Sequence, residues 1–309
     1  MFPVQQQGED CNMRKHISTW IAGILFLTGL SLLLYPSVSN YWNLRHQTQA
    51  VAQYSDKIEQ MDESECRQSR KEAEQYNETL AADAGRFNLS KEQEEWYQSL
   101  LNADGTGMMG YITIPEIQCR LAIYHGVGEA VLQDGVGQLE GTSLPVGGSG
   151  THCVLSGHRG LPSAKLFTDL DKLQEGDTFQ LHIYDEVLTY EIDQIRIVEP
   201  GDYGPLAIEE GKDLCTLLTC TPYGINTQRL LVRGHRIANS EKEETRVTSD
   251  AAKVSRLIVA AGISIPLLFI SFVVADLSGR HSKKKKKREA VPNSEDHNRA
   301  VGEKDETSK

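Results

Sequence analysis

Residues 216–234 read TLLTCTPYGINTQRLLVRG, two strand-like runs around a turn-rich loop. By the two-residue period of a strand, Leu214, Thr216, Leu218 and Cys220 share one face, and Cys215, Leu217 and Thr219 share the other. Pro222 cannot donate to a ladder, so the first strand ends near Thr221. Residues 221–228 form an eight-residue loop containing Pro222, Gly224 and Asn226, and Arg229 opens the second strand. Antiparallel pairing of the two runs sets Cys220 opposite Arg229, within side-chain reach. A cation favours thiolate and stabilises charge developing on an attacked carbonyl, so this pair is a candidate nucleophile and oxyanion partner. The plainer alternative is a buried structural cysteine and a surface arginine.

Working outward, short β-prone runs alternate with Gly/Pro turns from Gly110 onward: YITIP, CRLAIYHG, HCVLSGH, DTFQLHIY, VLTYEIDQIRIVE, LCTLLTC and QRLLVRGHRI. In VLTYEIDQIRIV, Leu188, Tyr190 and Ile192 share a face, but Ile195 and Ile197 fall on the opposite parity. That slip predicts a bulge near Asp193 and Gln194, as barrels need at corners. At least seven strands in some 130 residues predict a mainly β protein, a closed or nearly closed barrel with short helices. Between strands, LPSAKLFTDLDKL reads as a short helix. Upstream, residues 40–82 are charged and almost free of Gly and Pro, and they predict helix with Val51, Tyr54, Ile58 and Met61 on one face. Ser90 with Gln93 marks a further helix start, expected to run to about Leu101.

The formal charge is -11, but it is unevenly spread: from Arg280 on, ten Lys/Arg and six Asp/Glu make a basic tail. The acidic remainder argues against a nucleic-acid partner, and the tail argues for a membrane surface. Residues 17–35 (ISTWIAGILFLTGLSLLLY) and 257–275 (LIVAAGISIPLLFISFVVA) carry no charge, and each is long enough to cross a bilayer. Arg14 and Lys15 precede the first span, and the lysines at 283–287 with Arg288 follow the second. The positive-inside rule then puts both termini in the cytoplasm and the middle outside the cell. A cleaved signal peptide is the alternative for the first span, but the apolar run is long and no small-x-small site follows it. The expected divisions are a cytoplasmic N-terminus (1–16), a span (17–35), a helical extracellular region (36–105), the barrel (106–238), a linker (239–256), a second span (257–275) and a disordered basic tail (276–309).

A thiol nucleophile wants a proton donor and acceptor, usually His. The outside segment offers His46, His125, His152, His158, His182 and His235. His158 in SGHRGLP and His125 in IYHGVG both stand at strand ends beside glycine turns, and spacing leaves both open. Zinc sites show paired ligands at short spacing, whereas adjacent His152 and Cys153 would face opposite sides of a strand, so no metal is expected. A Cys215–Cys220 disulfide would sequester the candidate nucleophile.

The residues quoted above resemble the sortases, membrane-anchored cysteine transpeptidases of Gram-positive bacteria, whose TLxTC…R motif stands here as TLLTC with Arg229. TSLPVGG (142–148), SGHRGLPSAKLFTDLDKL (156–173), LLNADGTGMMGYITIPEI (100–117) and YHGVGEAVLQDGVGQLEGTSLP (124–145) resemble the pilus-assembling class C most closely. The resemblance covers roughly residues 75–237. It implies an eight-stranded sortase barrel, Cys220 as nucleophile, His158 as general acid and base, Arg229 as transition-state stabiliser, and no cofactor. It also implies LPXTG-like sorting signals on pilin or surface-protein substrates, with a pilin lysine as acceptor. Class C enzymes carry a lid with an Asp-Pro-aromatic motif. Here YNETLAADAGRFNLS has Asp83 and Phe87 but no Asp-Pro, which leaves these two as the candidate lid residues. Two other readings compete. One is a sortase that anchors proteins to cell-wall precursor amines; the other is a non-enzymatic membrane-tethered barrel that binds peptides or glycans.

Overall fold

The computed structural model describes residues 7–83, 85–239 and six helical positions between 264 and 274. Residues 28–253 form one compact unit. Its centre is a closed barrel of eight strands: β1 (Met108–Ile114), β2 (Cys119–His125), β3 (Val136–Gln138), β4 (Thr151–Ser156), β5 (Thr178–Ile183), β6 (Glu186–Val198), β7 (Asp213–Thr221) and β8 (Gln228–Ile237). Around the barrel the order is β1-β2-β3-β4-β7-β8-β6-β5. The β2–β3 and β4–β7 pairs are parallel, and the others are antiparallel.

Alternation along each strand sorts the side chains. Cys153 and Leu155 of β4, Cys215 and Leu217 of β7, and Leu230 and Val232 of β8 point into the main core with Phe179, Leu181 and Tyr190. The opposite parity builds a smaller apolar cluster on the outer face: Val154, Leu231 and Leu206, with Leu139, Val198 and Leu218 packed against it. Leu206 comes from the β6–β7 connection, so that loop covers this part of the outer wall. The expected slip in β6 is present, as a register shift between Ile192 and Gln194 opposite β8.

Three helices precede the barrel: α1 (Gln7–Glu59), α2 (Glu63–Ala81) and α3 (Lys91–Ser99). Val51, Tyr54 and Ile58 are buried along one face of α1 as expected. The Tyr54 hydroxyl donates to the Met109 carbonyl and accepts from the Tyr184 amide, both at 2.8 Å. Asn77 of α2 makes a reciprocal pair with the Leu144 backbone, and Tyr97 of α3 donates to Gln138 at 2.6 Å and accepts from the Gly126 amide at 2.8 Å. Ser90 and Gln93 form the expected capping box. Buried polar side chains thus tie each helix to the barrel, because an unpaired polar group in the core would be costly.

The structure corrects several expectations. The predicted helix across 40–82 is two helices, broken at residues 60–62 where Asp62 starts α2. The third helix stops at Ser99, since Leu100 is extended and Leu101 adopts a positive φ of 51°. LPSAKLFTDLDKL is not a helix. It is a run of turns with a single 3-10 turn at Leu170–Lys172, because Leu166 sits at φ 36°, outside the right-handed helical region. The strand β3 and the short helix α4 (Glu129–Asp134) lie where no element was expected. α1 is the one described helix long and apolar enough to cross a membrane. The expected second span falls outside the described residues, apart from Ser264, Pro266, Leu267, Ile270, Ser271 and Val274, which are helical.

Candidate active site

Antiparallel pairing of β7 and β8 sets Cys220 directly opposite Arg229. The parallel pairing of β4 and β7 supplies the third member. It runs in constant register from Thr151 with Asp213 to Ser156 with Leu218, an offset of 62 positions. Beyond Ser156 the alignment persists: the Gly157 amide donates to the Leu218 carbonyl at 3.0 Å, and the Thr219 hydroxyl donates to the Gly157 carbonyl at 2.7 Å. Continued two residues past the end of β4, the same offset would align His158 with Cys220. β7 thus carries the thiol, with the guanidinium on the neighbouring strand β8 and His158 in the segment that follows the other neighbour, β4. By parity the Cys220 and Arg229 side chains belong to the outer wall, on the same strand faces as Leu218 and Leu231.

The local sequence around His158 explains why it stays there. A Cβ on Gly157 would stand 2.7 Å from the ring of Phe167, so only glycine lets that ring pack beneath the strand end. The His158 carbonyl accepts the Phe167 amide at 3.1 Å. Arg159 donates to the Thr221 hydroxyl at 3.2 Å and is ion-paired to Asp171, which ties the SGHRG segment to the end of β7. The His158 side chain remains about a quarter exposed (26%), and Cys220 is partly exposed. Arg229 is oriented by its own loop, with Nη1 donating to the carbonyls of Asn226 at 3.3 Å and Gln228 at 3.0 Å. Among the described residues Nε and Nη2 make no further hydrogen bond, so these donors are available to a substrate oxygen.

The rival residues have other employment. His125 is buried, with its two ring nitrogens 2.9 Å and 2.8 Å from the carbonyls of Gly107 and Leu100, and burial holds its pKa below the ordinary value. His152 is fully buried between the Ala207 carbonyl and the Thr216 hydroxyl, where it fastens the β6–β7 connection to the wall, and burial lowers its pKa too. His182 stacks on Tyr111 at 4.3 Å and is pushed down to about 4 by burial. His235 lies along β8 and His46 along α1 beside Trp42. Cys215 faces the core and Cys220 the outer wall, and both are free thiols, so no disulfide joins them.

Of the two candidate lid residues, Phe87 packs on the β6–β7 connection. The Asp83 carboxylate accepts the Gly85 amide at 2.7 Å and closes its own turn. Phe87 packs its ring on Tyr203 at 4.9 Å, and Arg86 lies over Phe87 while donating to the Leu206 carbonyl at 3.2 Å. Beneath them Gly141, at φ 81°, has no room for a side chain, since a Cβ would meet the Arg86 carbonyl at 2.5 Å and the Phe87 ring at 2.7 Å. Sequence reasoning missed Arg86 and Arg159; both work through backbone carbonyls and side chains distant in the chain, for which no local pattern exists.

Residues 112–237 match the model of the sortase domain. Sortase C1 from Streptococcus agalactiae is 49% identical over 62% of this chain and all of that chain, with a TM-score of 0.61. Sortase C from Clostridium perfringens, solved with the C-terminal cell wall sorting motif, is 43% identical over 62% of this chain and all of that one, with a TM-score of 0.56. Sortase A of Bacillus anthracis is 24% identical over 230 residues, which are 74% of this chain and 99% of the relative. An eight-stranded barrel with a thiol and a guanidinium paired across its last two strands, matched in sequence and fold to these proteins, belongs to a cysteine transpeptidase of the sortase family, with class C sortases as its structural kin.

Proposed function

We propose that this sortase polymerises pilins from the outer face of a membrane, with Cys220, His158 and Arg229 as its catalytic residues. The Cys220 thiolate attacks the Thr carbonyl of an LPXTG-like sorting signal, and the oxyanion is held by the free donors of Arg229. His158 protonates the departing glycine amine, and the Thr–Gly bond breaks to leave a thioacyl enzyme. A lysine amine of the next pilin then attacks the thioester while His158 accepts its proton, and an isopeptide bond forms as the Cys220 thiolate is released. The observation that carries this reading is the direct pairing of Cys220 with Arg229 across β7 and β8, with His158 following the end of β4, the other neighbour of β7.

Water competes with the lysine, and a covered site favours transfer over hydrolysis. A lid built on the segment around Arg86 and Phe87, which is latched to Tyr203 and Leu206, would supply that cover. In this reading residues 1–16 and 276–309 are cytoplasmic, 17–35 and 257–275 cross the membrane, 36–105 is the helical region with the lid, 106–238 is the catalytic barrel outside the cell, and 239–256 is a linker.

The full chain in detergent, incubated with an LPXTG peptide with and without a pilin-lysine peptide, is followed by intact-mass spectrometry. A thioacyl adduct on Cys220, absent from Cys220→Ala and resolved by the lysine peptide, is expected. No adduct under any sorting motif sinks the transpeptidase assignment to Cys220. An adduct resolved by water or a cell-wall amine, but never by lysine, points instead to anchoring.

A further inference from the structure

α4 bridges the parallel strands β2 and β3, and β3 runs antiparallel to β4. The start of β3 therefore lies beside the end of β4, which places α4 at the end of the barrel that holds His158. The first residue of α4 is Glu129, whose Oε2 stands 3.6 Å from Nε2 of His158. That imidazole nitrogen is buried and makes no hydrogen bond among the described residues. The other carboxylate oxygen, Oε1, accepts the side-chain amide of Gln133, one helical turn on, at 2.6 Å. The carboxylate is thus held by its own helix, with one oxygen turned to the unused face of the imidazole.

We infer that Glu129 is a positioning residue for His158: its carboxylate fixes the ring through Nε2, leaving Nδ1 to exchange the proton with the glycine and lysine amines. This rests on the assignment of His158 above. The charge of Glu129 matters most when the imidazole is a cation, which is the state it must hold before protonating the leaving amine and after accepting the lysine proton. Two cations also lie near this end of the barrel. Arg159 is paired with Asp171 and bonded to Thr221, and Arg229 is held by the loop that follows β7. Among the described residues, Glu129 is the carboxylate that stands within 4 Å of the ring. The 3.6 Å gap is a ground-state distance, and hydrogen bonds to catalytic groups commonly tighten in the reacting complex.

The test compares Glu129→Gln, Glu129→Asp and Gln133→Ala in the full chain, with kcat and KM for peptide transfer, thermal unfolding, and single-turnover acylation of Cys220 by intact mass. Glu129→Gln is expected to lower kcat about tenfold, roughly one charge-assisted contact in the transition state, with KM and Tm little changed. Glu129→Asp restores part of the loss, and Gln133→Ala produces a smaller loss of the same kind. In a His158→Ala background, Glu129→Gln adds no further slowing of acylation, because the two act as a unit. Wild-type kcat in Glu129→Gln overturns the inference. So does an equal loss with and without His158, or a fall in Tm that accounts for the loss. Failure of the underlying assignment is separately visible, since His158→Ala would then acylate and transfer at the wild-type rate.

Discussion

At position 229 one nitrogen of the guanidinium is tied to two loop carbonyls while the other donors stay free. An ammonium cannot divide itself in this way. Arg229→Lys is expected to lower kcat about a hundredfold with little change in KM, as loss of one oxyanion donor does elsewhere; steady-state kinetics on a sorting peptide checks it. The cysteines differ as sharply. Cys66, Cys153 and Cys215 are buried, and burial pushes Cys119 up to about 12, whereas Cys220 is partly exposed. In a Cys11→Ser background, iodoacetamide at neutral pH should therefore label Cys220 first, and peptide mapping reads the order. Pairing of Cys220 with Arg229 was legible from parity alone, since one hairpin fixes it. His158 was not separable from His125 by spacing. The offset that favours it comes from a pairing between strands 62 positions apart, and the carbonyls that flank the ring nitrogens of His125 belong to Gly107 and Leu100.

Among elements, the β6–β7 connection has two jobs. His152 fastens its underside to the barrel wall, and Phe87 and Arg86 fasten to its upper side. Loosening the upper contacts without touching the lower ones should uncover the site. Arg86→Ala with Phe87→Ala is expected to raise the rate of peptide hydrolysis several-fold while Tm changes little, since both residues are half-exposed or partnered at the surface; release of cleaved peptide with no acceptor present measures it. Long alternating strands, the hairpin of β7 and β8 and the bulge in β6 could be read from sequence, because period and parity are local properties. The three residues of β3 could not, since so short a run in GVGQ carries no period, and its pairing with β2 and β4 defines it. The segment 161–173 misled for the opposite reason: its composition favours helix, but the backbone turns at Leu166 so that Phe167 can fill the space under Gly157.

For the molecule as a whole, buried neutral histidines set the response to acid. His125, His152 and His182 all have folded-state pKa values below 6.5, the last about 4, with burial the first cause in each case. Above pH 6.5 both folded and unfolded chains hold these rings neutral. As pH falls below 6.5 the unfolded chain takes up protons that the folded one refuses, so stability is lost progressively towards pH 4. Tm is expected to drop by about 5 °C or more between pH 7 and pH 5, and His182→Gln should flatten part of that slope; calorimetry across the range decides it. The same global view gives the parallel pair of β4 and β7 another meaning. The strands that bring the imidazole to the thiol are neighbours in space, yet β5 and β6 are strung between them in the chain. Such a contact closes late, once the intervening loop has been gathered in. A half-made chain therefore keeps Cys220 and the end of β4 apart, and completion of the barrel is the event that gathers the proposed site.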